Sequence, residues 1–192
     1  MEQIRSFIAI ELPDELKKEL GQLVARLKMG NQSWVKWVDP YSIHLTLKFL
    51  GNVAANRIAE IIKVMEVASQ GITSFQLELS GLGVFPNLRR VQVAWVGVKG
   101  DLAKLQQLQQ RIDSGLVPLG FATESRKFTP HLTLARLRNQ SSLGERQRFG
   151  ELITSTSFTA IHSIEVVSIS LMRSQLTREG AIYSRIGSVA LK

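Results

Sequence analysis

Ile43-His44-Leu45-Thr46-Leu47-Lys48-Phe49-Leu50, closed by Gly51-Asn52, is the stretch whose reading decides the fold. Ile43, Leu45, Leu47 and Phe49 alternate with His44, Thr46 and Lys48, the period of two that marks a half-buried strand. Strict alternation sets His44 and Thr46 together on the polar face and puts Phe49 with Leu45 on the apolar one. The same tripeptide returns at His131-Leu132-Thr133, again in an apolar run and again introduced by a proline, Pro130 there and Pro40 in the first copy. The chain has three histidines, and two of them share this context.

The flanking sequence repeats as well. Before the first copy, residues 4–10 read as a strand. A helix then begins at Leu12-Pro13-Asp14-Glu15, with proline near its first turn and acids suited to the helix dipole. Leu16, Leu20, Leu23, Val24 and Leu27 form its buried stripe, and Gly30 suits its stop. Trp34–Val38 is a short aromatic strand. After the first copy, Asn56 is expected to cap a helix carrying Ile58, Ile61, Ile62 and Met65, which stops near Gly71.

Phe75, Leu77 and Leu79 alternate in the next strand, and Gly81–Arg90 reads as a Gly/Pro-rich loop. Val91–Val98 is a β-branched strand, followed by a helix striped by Leu102, Leu105, Leu108 and Ile112. A loop over 117–130 feeds the second copy at 130–136. A helix over roughly 142–153 and strands near 162–172 and 181–187 complete the chain. No linker is long or polar enough to separate independent domains. The expected architecture is α+β and bilobal: residues 1–192 as one domain of two interleaved, pseudo-symmetric lobes. Each lobe is an antiparallel sheet with helices outside, and each contributes one His-x-Thr strand to a shared cleft.

At 192 residues, 44% hydrophobic and 21% charged, the composition is that of an ordinary globular protein able to bury a large core. The absence of cysteine excludes disulfides, thiolate metal sites and cysteine nucleophiles. Three scattered histidines give no metal-ligand spacing, so neither metal nor cofactor is expected. The opening residues run straight into strand pattern without signal-peptide architecture, and no apolar run reaches membrane-spanning length. The expectation is a cytoplasmic monomer without a membrane partner. Lys and Arg outnumber Asp and Glu by 24 to 16, a net charge of +8 that favours polyanions, nucleic acid first.

Two imidazoles without a metal or a nucleophile suit in-line displacement at phosphorus. One, neutral, takes the proton from an attacking water, and the other, protonated, gives a proton to the departing oxygen. Histidine reaches either state near neutrality. Thr46 and Thr133, two residues on and on the same face, can each donate a hydroxyl hydrogen bond to a phosphate oxygen. His162 has no such context and reads as structural or solvated. Arg89, Arg90, Arg126, Lys127, Arg136 and Arg138, in or beside loops, are candidates to neutralise RNA phosphates.

Ile43–Gly51 and Phe128-Thr-Pro-His-Leu-Thr-Leu-Ala-Arg136 resemble the two motifs of the 2H phosphoesterases, closest to the 2′-5′ RNA ligase or RNA 2′,3′-cyclic phosphodiesterase branch. Arg5–Pro13, Gly83-Val-Phe-Pro-Asn87, Ser170–Thr177 and Gly180–Tyr183 also fit that branch, so the resemblance spans nearly the whole chain. It implies a bilobal α+β fold and metal-free hydrolysis of 2′,3′-cyclic phosphate on RNA ends, tRNA fragments among the candidate substrates.

By position the resemblance makes His44 the proton donor to O3′ and His131 the acceptor that activates water. Thr46 and Thr133 would hold the phosphate. Arg136 matches an arginine near the phosphate, although strict alternation turns it away from His131 unless a bulge intervenes. Phe49 is a candidate base contact or a core residue. Two other readings stay open: nucleotide-independent 2′-5′ RNA ligation by the same acid and base, and a non-catalytic RNA-binding module on this fold. The intact histidine pair argues against the module.

Overall fold

The computed structural model describes residues 2–28, 32–177 and 180–192. Among these residues nine strands form two antiparallel sheets, and four α-helices flank them. The strands are β1 (Gln3–Glu11), β2 (Val35–Trp37), β3 (His44–Ala54), β4 (Phe75–Phe85), β5 (Val93–Gly100), β6 (His131–Leu137), β7 (Thr159–Val166), β8 (Ser168–Leu176) and β9 (Ala181–Ala190). The helices are α1 (Asp14–Leu27), α2 (Ile58–Ser69), α3 (Leu102–Leu116) and α4 (Leu143–Ser155). One sheet has the order β3-β1-β8-β9 and the other β2-β6-β5-β4-β7. The chain interleaves the lobes, because β2 leaves the first sheet to edge the second while β8 and β9 return to complete the first.

The expected stripe of α1, Leu16, Leu20, Leu23, Val24 and Leu27, is buried residue for residue, with Asp14 and Glu15 in the first turn. Gly30, the expected stop, lies outside the described residues. The helix at 142–153 is α4, where Ser142 and Glu145 form a reciprocal capping box. Buried leucines, isoleucines and valines from both sheets and all four helices make one continuous core.

Four expectations need correction. Asn56 does not cap α2; it sits in a 3-10 turn over Ala55–Arg57 that leads into the helix, with Arg57 at the cap position. Gly81–Phe85 is strand rather than loop. Gly81 takes up a register irregularity at φ +72°, and β4 then pairs on with β5 to its end. The strand foreseen over 162–172 is two strands in different sheets, broken at Val167, since β7 pairs with β4 and β8 with β1. Finally β3 does not stop at Gly51; it runs to Ala54, with Gly51 at φ +71°.

Candidate active site

β3 and β6 meet across the boundary between the sheets and carry the two His-x-Thr segments. Both strands depart from strict alternation at the same place. In β3, Thr46 faces Ala9 and Lys48 faces Ile8, which leaves Leu47 without an opposite residue. In β6, Thr133 faces Trp95 and Ala135 faces Ala94, which leaves Leu134 without one. A bulge of one residue reverses the faces of everything beyond it.

Phe49 therefore stands on the face of His44 and Thr46, 63% exposed, rather than with Leu45 in the core. Lys48 turns inward instead, 6% exposed, where its ammonium donates to Asp113 Oδ1 (2.5 Å) and the Ala122 carbonyl (2.6 Å). The bulge in β6 returns Arg136 to the His131 face. Phe49 and Arg136 thus hold equivalent places in the two lobes.

Each imidazole is anchored alike. His44 Nδ1 bonds the Ser42 carbonyl (2.8 Å) and His131 Nδ1 bonds the Thr129 carbonyl (2.7 Å). A carbonyl oxygen only accepts, so Nδ1 carries the proton in both rings and Nε2 remains for chemistry. Phe7 stacks on His44 with centroids 4.5 Å apart, and Tyr183 meets its edge at 5.0 Å. Phe85 meets His131 edge-on at 5.0 Å, with Trp95 behind at 6.5 Å. Trp95 lies flat across Gly83: a Cβ at position 83 would come within 2.2 Å of the indole, so only glycine admits it. Thr46 and Thr133 are half-buried, and among the described residues neither hydroxyl has a hydrogen-bond partner.

The charges differ between lobes. Glu11 lies directly across β1 from His44. Its carboxylate accepts a forked pair from Arg185 (2.7 and 3.0 Å) and a hydrogen bond from the Ser170 hydroxyl (2.5 Å). The Arg185 hydrogen bonds hold the Glu11 carboxyl below its ordinary pKa, so it stays charged. Across from His131 stands Gly97, where a Cβ would meet the Ser80 carbonyl at 2.7 Å and no side chain fits. Burial pushes both imidazoles below the ordinary value; the Glu11 charge partly restores His44, whereas the Arg136 charge pushes His131 down further.

Phe7, Glu11, Phe85, Ser170 and Tyr183 lie in the segments of resemblance without a role assigned there, and Trp95 and Arg185 lie outside them. A carboxylate at the end of an otherwise apolar strand was the available signal for Glu11. The third histidine is structural: Glu19 of α1 bonds the His162 ring and accepts from the backbone N–H groups of Ile161 (2.9 Å) and His162 (3.0 Å). Arg138 is occupied too, donating from Nε to the Ser33 carbonyl (2.9 Å). Among the described residues no group of three or more His, Asp and Glu side chains is arranged to hold a metal ion, and no helix is long and apolar enough to cross a membrane.

A model of LigT-like phosphoesterases matches the chain twice, over residues 10–95 and 96–183, one match for each His-x-Thr strand. The chain is 34% identical to the RNA 2′,3′-cyclic phosphodiesterase of Methanothermobacter thermautotrophicus, covering 95% of this chain and 96% of that protein. It is 36% identical to the protein of the same name from Aeropyrum pernix, over 81% of this chain and 85% of the other. Among solved structures, LigT of E. coli in complex with 3′-AMP superposes with a TM-score of 0.78 at 26% identity, over 100% and 99% of the two chains. A protein of Thermus thermophilus shares the fold with a TM-score of 0.80 at 23% identity, over 98% of both chains.

Proposed function

The chain belongs to the LigT-like phosphoesterase family, and from that premise we propose that it is an RNA 2′,3′-cyclic phosphodiesterase that opens the cyclic phosphate to a 2′-phosphomonoester. The observation that carries the reading is the pair of anchored imidazoles with unequal electrostatic neighbours. His131, which the Arg136 charge pushes further toward the neutral form, takes a proton from water at Nε2. The water oxygen attacks phosphorus while the P–O3′ bond breaks on the opposite side. His44, whose protonated form the Glu11 carboxylate favours, donates from Nε2 to O3′.

The hydroxyls of Thr46 and Thr133 and the Arg136 guanidinium stabilise the phosphoryl oxygens as charge builds on them. Phe49, exposed beside Phe7 at a centroid distance of 6.2 Å, offers a face on which the terminal base can stack. We take residues 1–192 as a single domain, since β2, β8 and β9 tie each half of the chain into the other's sheet.

The direct test is incubation with an oligoribonucleotide ending in 2′,3′-cyclic phosphate, with EDTA present, and product analysis by phosphorus NMR. A 2′-phosphate end formed in chelator is the expected result. A 3′-phosphate end would require the donor and acceptor to exchange roles. Activity lost to chelator and restored by a divalent ion would overturn the two-histidine mechanism.

A further inference from the structure

Beyond the C-terminal end of β6 a pocket of about 380 Å³ opens between the start of β5 and the first turns of α4. Three arginines line it, Arg90, Arg136 and Arg146, and no acidic residue does. Arg146 is fully engaged: it donates to the carbonyls of Ser141 (3.2 Å), Val91 (2.5 Å), Arg138 (3.1 Å) and Asn139 (3.3 Å), which fixes its charge without neutralising it. The Arg90 and Arg136 side chains have neither an ion pair nor a hydrogen bond among the described residues. Three like charges around one cavity repel one another until an anion enters, so the field selects for one.

The rest of the lining suits a nucleotide rather than a bare ion. Leu143 supplies apolar surface, and Gln92 and Asn139 supply amide donors and acceptors. Position supplies the remaining argument. Arg136, which stands on the His131 face and serves the reacting phosphate in the proposed reaction, also lines this pocket, so the pocket opens directly beside the site of the terminal phosphate. A substrate held by its terminal phosphate between the histidines has only one direction in which to extend, toward the 5′ side.

We infer that this pocket is a second phosphate subsite, which receives the phosphodiester and flanking nucleotide on the 5′ side of the terminal nucleotide and so selects RNA chains over single cyclic nucleotides. The inference rests on the proposed reaction, but its test has a binding arm independent of turnover. Steady-state kinetics would compare a mononucleoside 2′,3′-cyclic phosphate with a trinucleotide carrying the same end, in the wild type and in Arg90→Gln. For the trinucleotide the variant should raise KM about tenfold, one charge-assisted contact, and flatten the slope of log KM against log salt by about 0.7. For the mononucleotide it should change neither.

Leu143→Glu, which places a carboxylate at an exposed helix position lining the pocket, should act in the same direction without touching Arg90. Binding of a trinucleotide with a 2′-phosphate end, followed by fluorescence anisotropy, should weaken in both variants. If Arg90→Gln left trinucleotide KM and binding unchanged, or weakened both substrates equally, the subsite would be overturned while the hydrolysis reading stood. If no cyclic phosphate were opened yet trinucleotide binding still depended on Arg90, the reaction would fall and the subsite would stand.

Discussion

Compared rung by rung, the two histidine strands share a backbone and differ in what faces it. His44 and His131 have the same anchor to the carbonyl two residues earlier, the same threonine two residues on, and the same one-residue bulge after it. Across from the histidine stands Glu11 in one lobe and Gly97 in the other; across from the threonine stands Ala9 or Trp95. After the bulge comes Phe49 in one and Arg136 in the other. The shared features build a pair of imidazoles with the same free nitrogen. The unshared ones give the imidazoles opposite charged neighbours, which favours the protonated form of His44 and the neutral form of His131.

Removing a histidine should break the pair most severely. His44→Ala and His131→Ala are each expected to lower kcat by about 10²–10⁴, and the double variant should lose far less than the product of the two. Near-native single-turnover rates from either folded variant would end the equivalence of the strands. Thr46→Val and Thr133→Val test the other shared feature. Each removes one charge-assisted hydrogen bond, about 1.5–3 kcal/mol, so rates should fall roughly 10- to 100-fold and to similar extents in the two lobes. A loss confined to one threonine would show the phosphate to be held from one side only.

The unshared features should have smaller effects. Glu11→Gln leaves the Arg185 fork with an amide and removes the charge beside His44. A fall in kcat of about tenfold, one interaction of ~1.4 kcal/mol, is expected, with the His44 NMR titration moving to lower pH and that of His131 staying in place. In the wild type both imidazoles should titrate below the ordinary range. A His44 titration unmoved in Glu11→Gln would erase the electrostatic distinction.

The smallest effect is on stability. Both imidazoles resist protonation in the fold, so the unfolded chain binds more protons as pH drops below about 6.5. Stability should therefore decline from there through the folded values, then level until carboxylates such as Glu11 titrate. Urea unfolding over that range should show less of this decline in His44→Phe.

Periodicity made most of the helices and strands legible, down to the buried stripe of α1 and the pairing of His44 with Thr46. It failed where a strand breaks its own period. Alternation sent Phe49 inward and Lys48 outward, and the bulge at Leu47 exchanged them. The same reasoning demanded a bulge before Arg136 could face His131, and β6 has one at Leu134. Glu11, Ser170 and Arg185 could not be joined from sequence, because only the order β3-β1-β8-β9 brings positions so far apart onto neighbouring strands. Gly83 belongs to a segment of family resemblance, but its physical reason, an indole lying on it from the next strand, depends on the register of β4 against β5.

The contact between Glu19 and β7 bears on how the protein avoids joining to copies of itself. β7 is the outer strand of its sheet, and an outer strand with free backbone donors is a template for another chain. Two of those donors, on Ile161 and His162, are claimed by a carboxylate on a helix that follows a strand of the opposite sheet. These two donors are thus covered only after α1 has docked, so a chain caught with one sheet assembled and α1 loose exposes them. Glu19→Ala should turn over substrate much as the wild type does, yet refold with a concentration-dependent loss to aggregates, measurable by light scattering. The carboxylate guards the route to the fold more than the finished enzyme.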